Sequence, residues 1–198
     1  MGLGATAPEG RALNRQVAVL AGSLRKNSFN RMTAKALVAL APAGLQLEIL
    51  EIGQLTLYNQ DQEEAGPPLA WQEFRARVRA SDAVLFVTPE YNRSVPGVLK
   101  NALDVASRPY GQSAWEGKPG AIVSVSPGAM GGFGANQHLR QSCVFLNVPV
   151  MQQPEAYVGG AAALFDPAGN LINDSTRLFL KGFMEAYARW IEQLLTGH

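Results

Sequence analysis

Short apolar runs alternate with amphipathic stretches along this chain, and this alternation constrains its fold more than any other sequence feature. The runs have few polar interruptions, which is typical of parallel strands buried on both faces of a sheet. The predicted strands are Gln16–Gly22, Leu45–Leu50, Ala83–Thr88, Ala121–Ser126 and the short run Asn147–Met151. The predicted helices are Asn30–Leu40, Leu69–Ala80, Val98–Ser107, Gly134–Leu146 and Asp174–Leu195. The alternation predicts an open α/β sheet with helices on both faces.

Composition excludes several classes of function. The chain has 198 residues, 47% of them hydrophobic, which fits one domain with a sizeable core. A formal net charge of +1 argues against a nucleic-acid partner, because phosphate backbones require a basic face. No apolar run is long enough to span a bilayer, and a single cysteine, Cys143, with two histidines gives no disulfide and little basis for a metal site. We expect a cytoplasmic domain over residues 16–198, after a flexible arm over residues 1–15.

The loop after the first predicted strand, residues 22–31, is rich in hydrogen-bond donors. The start of a helix offers unpaired N–H groups and a partial positive charge, which favour an anion. Ser23 and Ser28 add hydroxyl groups, and Arg25 adds a planar guanidinium suited to phosphate. Ser28 alone is better explained as a helix N-cap, but the whole cluster predicts a phosphate site. No Walker A or G-x-G-x-x-G sequence stands in this loop, so a monophosphate cofactor fits better than a pyrophosphate.

The loops after the third and fourth predicted strands reach the same edge of the sheet, where ligands bind in folds of this kind. In the first of them, residues 89–97, two prolines stiffen the backbone, so that it can hold Tyr91 and its peptide groups against a flat heterocycle. In the second, residues 127–134, four glycines allow the backbone to approach a ligand closely, and Ser126 offers a hydroxyl beside them. Taken alone, residues 89–97 could equally be a rigid turn, but their position beside the first loop favours a functional role. Residues 127–134 could also be a flexible connector, because glycine content alone is weak evidence for a site.

Taken together, these motifs resemble the NADPH-dependent FMN reductase family of the flavodoxin-like superfamily, and within it the soluble chromate and quinone reductases. The motifs are GSLRKNSFN over residues 22–30, TPEYNRSVPGVLKNALD over residues 88–104, and GGFGANQHLRQ with FLNVPVMQQPE over residues 131–155. The resemblance implies a flavodoxin-like three-layer α/β/α sandwich. Its five-stranded parallel sheet would have the order 2-1-3-4-5, with FMN at the carboxyl edge.

The resemblance also implies which residues hold FMN. The first loop would bind the phosphate, the second would line the isoalloxazine ring, and the third would close one side of the ring. In that order, the residues are Ser23, Arg25, Ser28 and Asn30, with Phe29 beside them; Pro89, Glu90, Tyr91 and Asn92; and Ser126, Gly128, Gly131 and Gly132. We expect no catalytic side chain and no metal, because the flavin N5 atom carries the chemistry.

The activity implied by the resemblance is ping-pong hydride transfer from NADPH or NADH through FMN to quinones, with chromate or other metal oxyanions as further acceptors. Arg93, where related sequences often carry Tyr or Gly, and Arg108 are candidates for attracting anionic substrates, although a solvated or interface charge is the plainer interpretation of each. A homodimer or homotetramer is implied as well, with the regions of Arg140 and Glu155 at its interfaces.

Two alternatives remain open from the sequence. The chain could be an FMN-binding electron carrier without its own NAD(P)H oxidation, although such carriers tend to be strongly acidic and this chain is not. It could also be a phosphate-binding regulatory module without redox function.

Overall fold

The computed structural model describes residues 14–197, in which strands and helices alternate as predicted. The strands are β1 (Arg15–Ala21), β2 (Leu45–Leu50), β3 (Ala83–Thr88), β4 (Gly120–Val125) and β5 (Ala156–Val158). The helices are α1 (Phe29–Ala39), α2 (Gln60–Ala65), α3 (Leu69–Ala80), α4 (Gly97–Ala106), α5 (Phe133–Phe145) and α6 (Asp174–Thr196). A single 3₁₀ turn covers Ala161–Ala163.

All five strands are parallel and lie in the order β2-β1-β3-β4-β5, which confirms the predicted sheet. In strand β1, Val19 is paired with Ile49 of β2 on one side and with Leu85 of β3 on the other. The chain therefore leaves β1 in one direction to form β2 and returns past it to form β3. The carboxyl ends of β1 and β3 flank this change of direction, which is where an open α/β sheet binds its ligand.

Alternate residues of each inner strand serve the two faces of the sheet, as the two-residue period of a strand requires. On one face, Val17 and Val19 pack with the buried side chains of α1 and α6. On the other face, Ala18 and Leu20 pack with those of α3, α4 and α5. The result is the predicted three-layer sandwich, and Cys143 of α5 lies fully buried in the second layer of core. Burial raises the pKa of its thiol to about 12, so Cys143 is a core residue.

The predicted fifth strand, Asn147–Met151, is wrong. In this segment Val150 alone pairs, in a bridge with Gly120, and the ladder with β4 is formed later in the chain by Ala156–Val158. Pro149 has no N–H to donate and so cannot continue a ladder. Its carbonyl accepts a hydrogen bond from the Gly120 N–H at 3.0 Å, which fixes the segment beside the start of β4.

Helix α2 was not predicted, because none of its side chains is buried and it carries no apolar stripe. It is fixed to its neighbours by an ion pair between Glu63 and Arg75 of α3, whose side chains are 12% and 4% exposed. The Arg75 Nε atom also donates to the Val105 carbonyl oxygen of α4 at 2.8 Å. One buried guanidinium therefore joins three helices.

The predicted arm over residues 1–15 lies outside the described residues except for its last two. Arg15 already belongs to β1, and its Nε atom donates to a Glu192 carboxylate oxygen of α6 at 2.7 Å. Among the described helices, none combines the length and the hydrophobicity needed to cross a membrane.

Candidate active site

A cleft of about 310 Å³ lies at the carboxyl edge of the sheet, where the loops after β1, β3 and β4 meet. Its size falls in the range of small-molecule sites. The structure brings most of the predicted cofactor residues to this cleft. Its lining consists of Ser23, Arg25, Ser28, Phe29, Asn30, Pro89, Glu90, Tyr91, Val125, Ser126 and Pro127.

The first loop presents hydrogen-bond donors that have no acceptor among the residues that the structure describes. Ser28 is the N-cap of α1, and its Oγ atom accepts a hydrogen bond from the Arg31 N–H at 3.1 Å. The N–H groups of Phe29 and Asn30, the first two of the helix, have no acceptor among residues 14–197. The Ser28 hydroxyl can still donate its own hydrogen, so Ser28 can cap the helix and serve a ligand at the same time.

Buried polar atoms at this loop fit a phosphorylated ligand. Ser23 is 4% exposed and Ser28 is 2% exposed, whereas Arg25 lies exposed at the mouth of the cleft. The buried Asn30 Oδ1 atom has no hydrogen-bond partner among the described residues. An unpaired buried acceptor costs about 1–3 kcal/mol, a cost that a ligand hydroxyl or, with the amide reversed, a phosphate oxygen offsets. FMN carries both groups, and the cleft therefore suits it.

The second loop has a shape that its own hydrogen bonds determine. Tyr91 and Ser94 exchange two backbone hydrogen bonds, each 3.0 Å long, around Asn92 and Arg93. Asn92 has φ 51° and Arg93 has φ 67°, so the two central residues are both left-handed, as in a type I′ turn. Asn92 and Arg93 therefore form a turn at the rim and do not line the cleft.

Side chains fix this turn to helix α5. The Glu90 Oε2 atom accepts a hydrogen bond from the Ala135 N–H at 3.1 Å, in the first turn of α5. A carboxylate suits this position, because a helix N-terminus carries unpaired donors and a partial positive charge. Farther along the helix, His138 Nδ1 lies 3.0 Å from Ser94 Oγ. Contacts with helix α5 therefore hold the backbone of the second loop in place, whether or not a ligand is bound.

The glycines of the third loop serve packing. Gly131 has φ 58°, and a Cβ atom there would lie 2.6 Å from the Tyr157 carbonyl carbon of β5. Gly132 has φ 78° and is the N-cap of α5. Neither these two nor Gly128, whose N–H donates to Ser126 Oγ at 3.1 Å, lines the cleft.

Two lining residues, Val125 and Pro127, were missed by sequence reasoning. Both are direct neighbours of the predicted residue Ser126. Their position at the carboxyl end of β4 could have indicated that they line the cleft.

The two predicted substrate residues, Arg93 and Arg108, lie in different parts of the structure. The Arg93 side chain is 84% exposed at the rim of the cleft, with Nη1 4.0 Å from Glu90 Oε1. Arg108 follows the far end of α4 and lines a different cavity, of about 400 Å³, together with Tyr110 and Phe145. Its guanidinium carbon lies 5.9 Å from the centre of the Tyr58 ring. Within one chain, the structure does not bring Arg108 to the cleft.

A parallel sheet of order 2-1-3-4-5 with a donor-rich cleft at its switch point defines a flavodoxin-like flavoprotein. The family model described as NADPH-dependent FMN reductase matches residues 15–163, and the chain belongs to this family. This membership confirms FMN as the cofactor and NAD(P)H as the electron donor. It also favours an enzyme over the electron carrier and the regulatory module.

Curated relatives and a solved structure agree with this assignment. A quinone reductase from Pseudomonas putida is 65% identical over 176 residues, which cover 89% of this chain and 94% of the relative. A 2-hydroxy-1,4-benzoquinone reductase from Burkholderia sp is 48% identical over 176 residues, 89% of this chain and 96% of the relative. The solved structure of FerB, a flavoenzyme NAD(P)H:(acceptor) oxidoreductase from Paracoccus denitrificans, matches with a TM-score of 0.85 and 42% identity, covering 90% of this chain and 98% of that one.

Proposed function

We propose that this chain is an NAD(P)H-dependent quinone reductase whose FMN is held in the cleft at the ends of β1, β3 and β4. The observation that carries the proposal is the pairing of two unlike loops across one cleft. One loop offers N–H groups that have no acceptor among residues 14–197 and that suit a phosphate, and the other offers a stiff surface for the ring. The names of the relatives support quinones as acceptors.

In this proposal the phosphate is held by the hydroxyls of Ser23 and Ser28, the guanidinium of Arg25, and the N–H groups at the start of α1. The backbone of Pro89 and Tyr91 supports the ring. FMN, when bound, supplies the hydride-accepting atom, so the protein's task is to position and stabilise. Donor and acceptor then use the same open side of the cleft in turn, which predicts ping-pong kinetics.

Chromate and other metal oxyanions belong to the same proposal as secondary acceptors. The residue that supports them is Arg93, whose exposed guanidinium lies at the rim and attracts anions. Arg108 supports them only if a second subunit brings it to the cleft, because within one chain it lies in another cavity.

We further propose a homodimer or homotetramer in the cytoplasm, where NAD(P)H is available. Exposed apolar side chains at the end of α5 support self-association, since Val144 is 80% exposed and Phe145 77% exposed. Beside them, Arg140 and Glu155 line a groove of about 520 Å³. Sedimentation of the purified protein would give the subunit number, and a monomer at micromolar concentration would contradict the proposal.

Anaerobic mixing of the FMN-loaded protein with NADPH or NADH tests the activity. We expect the yellow flavin absorbance to bleach with either donor and to return on addition of a quinone. Steady-state rates with a quinone, ferricyanide and chromate then rank the acceptors. A protein that binds FMN but is not bleached would be an electron carrier, and one that takes up no FMN would contradict the site itself.

A further inference from the structure

An open groove of about 500 Å³ runs along helix α1, outside the flavin cleft. The groove and the cleft share a boundary in the first loop, because Arg25 lines the cleft while its neighbour Lys26 lines the groove. The other walls of the groove are the turn at residues 168–171 and Arg177 in the first turn of α6.

Positive charge is concentrated in this groove. Its lining includes four cations, Lys26, Arg31, Lys35 and Arg177, although the whole chain has only one more cation than anions. Arg31 and Lys35 are four residues apart on α1 and so share one helix face. The positive charge on this side of α1 is therefore much higher than the nearly neutral composition of the chain would lead one to expect.

Two of the four cations have no counter-charge in the described part of the chain. The Arg31 guanidinium is bonded to the Glu51 carboxylate at 2.6 Å, and the Arg177 Nε atom lies 3.7 Å from Asp174 Oδ1. Lys26 and Lys35 are exposed and form no ion pair among residues 14–197. The groove thus has two spare positive charges, which matches the charge of one phosphate monoester at neutral pH.

The groove also has a shaped apolar floor. Met32, Ala36 and Leu40 line it from α1. Gly169 packs directly on this floor, since a Cβ atom there would lie 3.3 Å from Met32 Cγ. The turn that carries Gly169 is fixed by Asp166, whose carboxylate accepts the Asn170 N–H at 2.8 Å. A flat apolar group with a phosphate attached could pack on this floor while its phosphate contacts the cations of the groove.

We infer that this groove binds the adenosine 2′-phosphate portion of NADPH, and that Lys26 and Lys35 make the enzyme select NADPH over NADH. The inference rests on the proposed function, because the nicotinamide of the same molecule must reach the flavin cleft. NADPH differs from NADH by this phosphate alone, so Lys26 and Lys35, in a groove that adjoins the cleft, discriminate between the two donors by charge. The seven residues from Phe29 to Lys35 span about 10 Å along α1, which is long enough for a nucleoside.

The kinetic test replaces Lys26 and Lys35 by alanine, singly and together. The double variant should raise the KM for NADPH about tenfold, as expected for two exposed charge contacts, with the KM for NADH and kcat unchanged. The matched control is Lys181→Ala, which removes an exposed cation of α6 that lies outside the groove. Equal changes for the two donors, or no change for either, would overturn the inference.

A binding test separates the groove from the activity. The FMN-loaded protein is titrated with 2′,5′-ADP, with 5′-AMP and with inorganic phosphate. We expect 2′,5′-ADP to bind most tightly, and its advantage over 5′-AMP to disappear in the double variant. If inorganic phosphate binds as tightly as 2′,5′-ADP, the groove is a general phosphate site and the inference is wrong. A protein without quinone turnover would contradict the proposed function and would leave this titration interpretable.

Discussion

The two loops that face each other across the cleft are built on opposite principles. The first, after β1, leaves the N–H groups of Phe29 and Asn30 and the buried Asn30 Oδ1 atom without a partner in the described part of the chain. The second, after β3, is held in shape by bonds that need no ligand, through the paired backbone of Tyr91 and Ser94 and the contact of Glu90 with α5. One loop is incomplete until a ligand arrives, and the other has its shape beforehand.

Because of this difference, substitutions in the two loops should change different measured quantities. Changes in the first loop should alter FMN affinity and leave the stability of the FMN-free protein nearly unchanged. Changes in the second loop should alter that stability directly, because its bonds are made without a ligand. The following substitutions test whether the two loops separate in this way.

Ser28→Asp should have the largest effect. Aspartate caps a helix as well as serine does, so the FMN-free protein should unfold at nearly the same urea concentration. A carboxylate would face the phosphate, and like charges in contact cost several kcal/mol, so the FMN Kd should rise by about a hundredfold or more. Fluorescence titration measures the affinity, with Ser28→Thr as the control that keeps both cap and hydroxyl. Normal FMN uptake by Ser28→Asp would place the phosphate elsewhere.

Arg25→Ala should weaken FMN binding by about 1.5–3 kcal/mol, the range for a hydrogen bond to a charged group. Its side chain is exposed and makes no hydrogen bond among the described residues, so the melting temperature without FMN should not change. Arg189→Ala, which removes an exposed charge on α6, is the control. Unchanged affinity in Arg25→Ala would remove this residue from the phosphate site.

Glu90→Ala should lower the free energy of unfolding of the FMN-free protein by about 1–2 kcal/mol, because the Ala135 N–H loses its acceptor. Glu90→Gln keeps an acceptor oxygen and should lose less. Urea denaturation measures both variants. Equal stability of Glu90→Ala and the native protein would show that α5 does not fix the second loop.

Arg93→Gly should have the smallest effect, a gain of about 0.5–1 kcal/mol, because glycine adopts the left-handed conformation of this turn without strain. Arg93→Ala removes the same charge but keeps the strain, so it should not be stabilised. Thermal melts compare the two. A gain of equal size in both variants would attribute the effect to charge and not to the backbone.

Much of the fold could be predicted from local patterns. Predicted bounds of α1, α3 and α4 differ from the observed ones by no more than one residue, because apolar periodicity and flanking turn residues mark them clearly. The edge strand β5 was missed because it has only three residues. The preceding segment Asn147–Met151 is more apolar, so the pattern favoured it as the fifth strand although it contains Pro149. Helix α2 was missed because it buries nothing.

Those parts of the site that consist of hydrogen-bonding side chains in loops could be predicted from the sequence, and the parts that depend on contacts between distant segments could not. Residues that donate to a ligand stand out in sequence, and most of them reach the cleft. The contact of Glu90 with Ala135 joins residues 45 positions apart, so no local pattern reports it. The position of Arg108 within one chain could not be predicted for a similar reason, because its distance from the cleft depends on the length and direction of α4.

The buried Arg75 has a practical consequence for engineering. Helix α2 contributes nothing to the core, and an ion pair through Glu63 joins it to α3 and α4. Lengthening or shortening the chain on either side of Glu63 should therefore be tolerated, provided that a carboxylate still reaches Arg75. An affinity tag or fluorescent reporter inserted beside α2 would be displayed on the surface, because none of the side chains of this helix is buried.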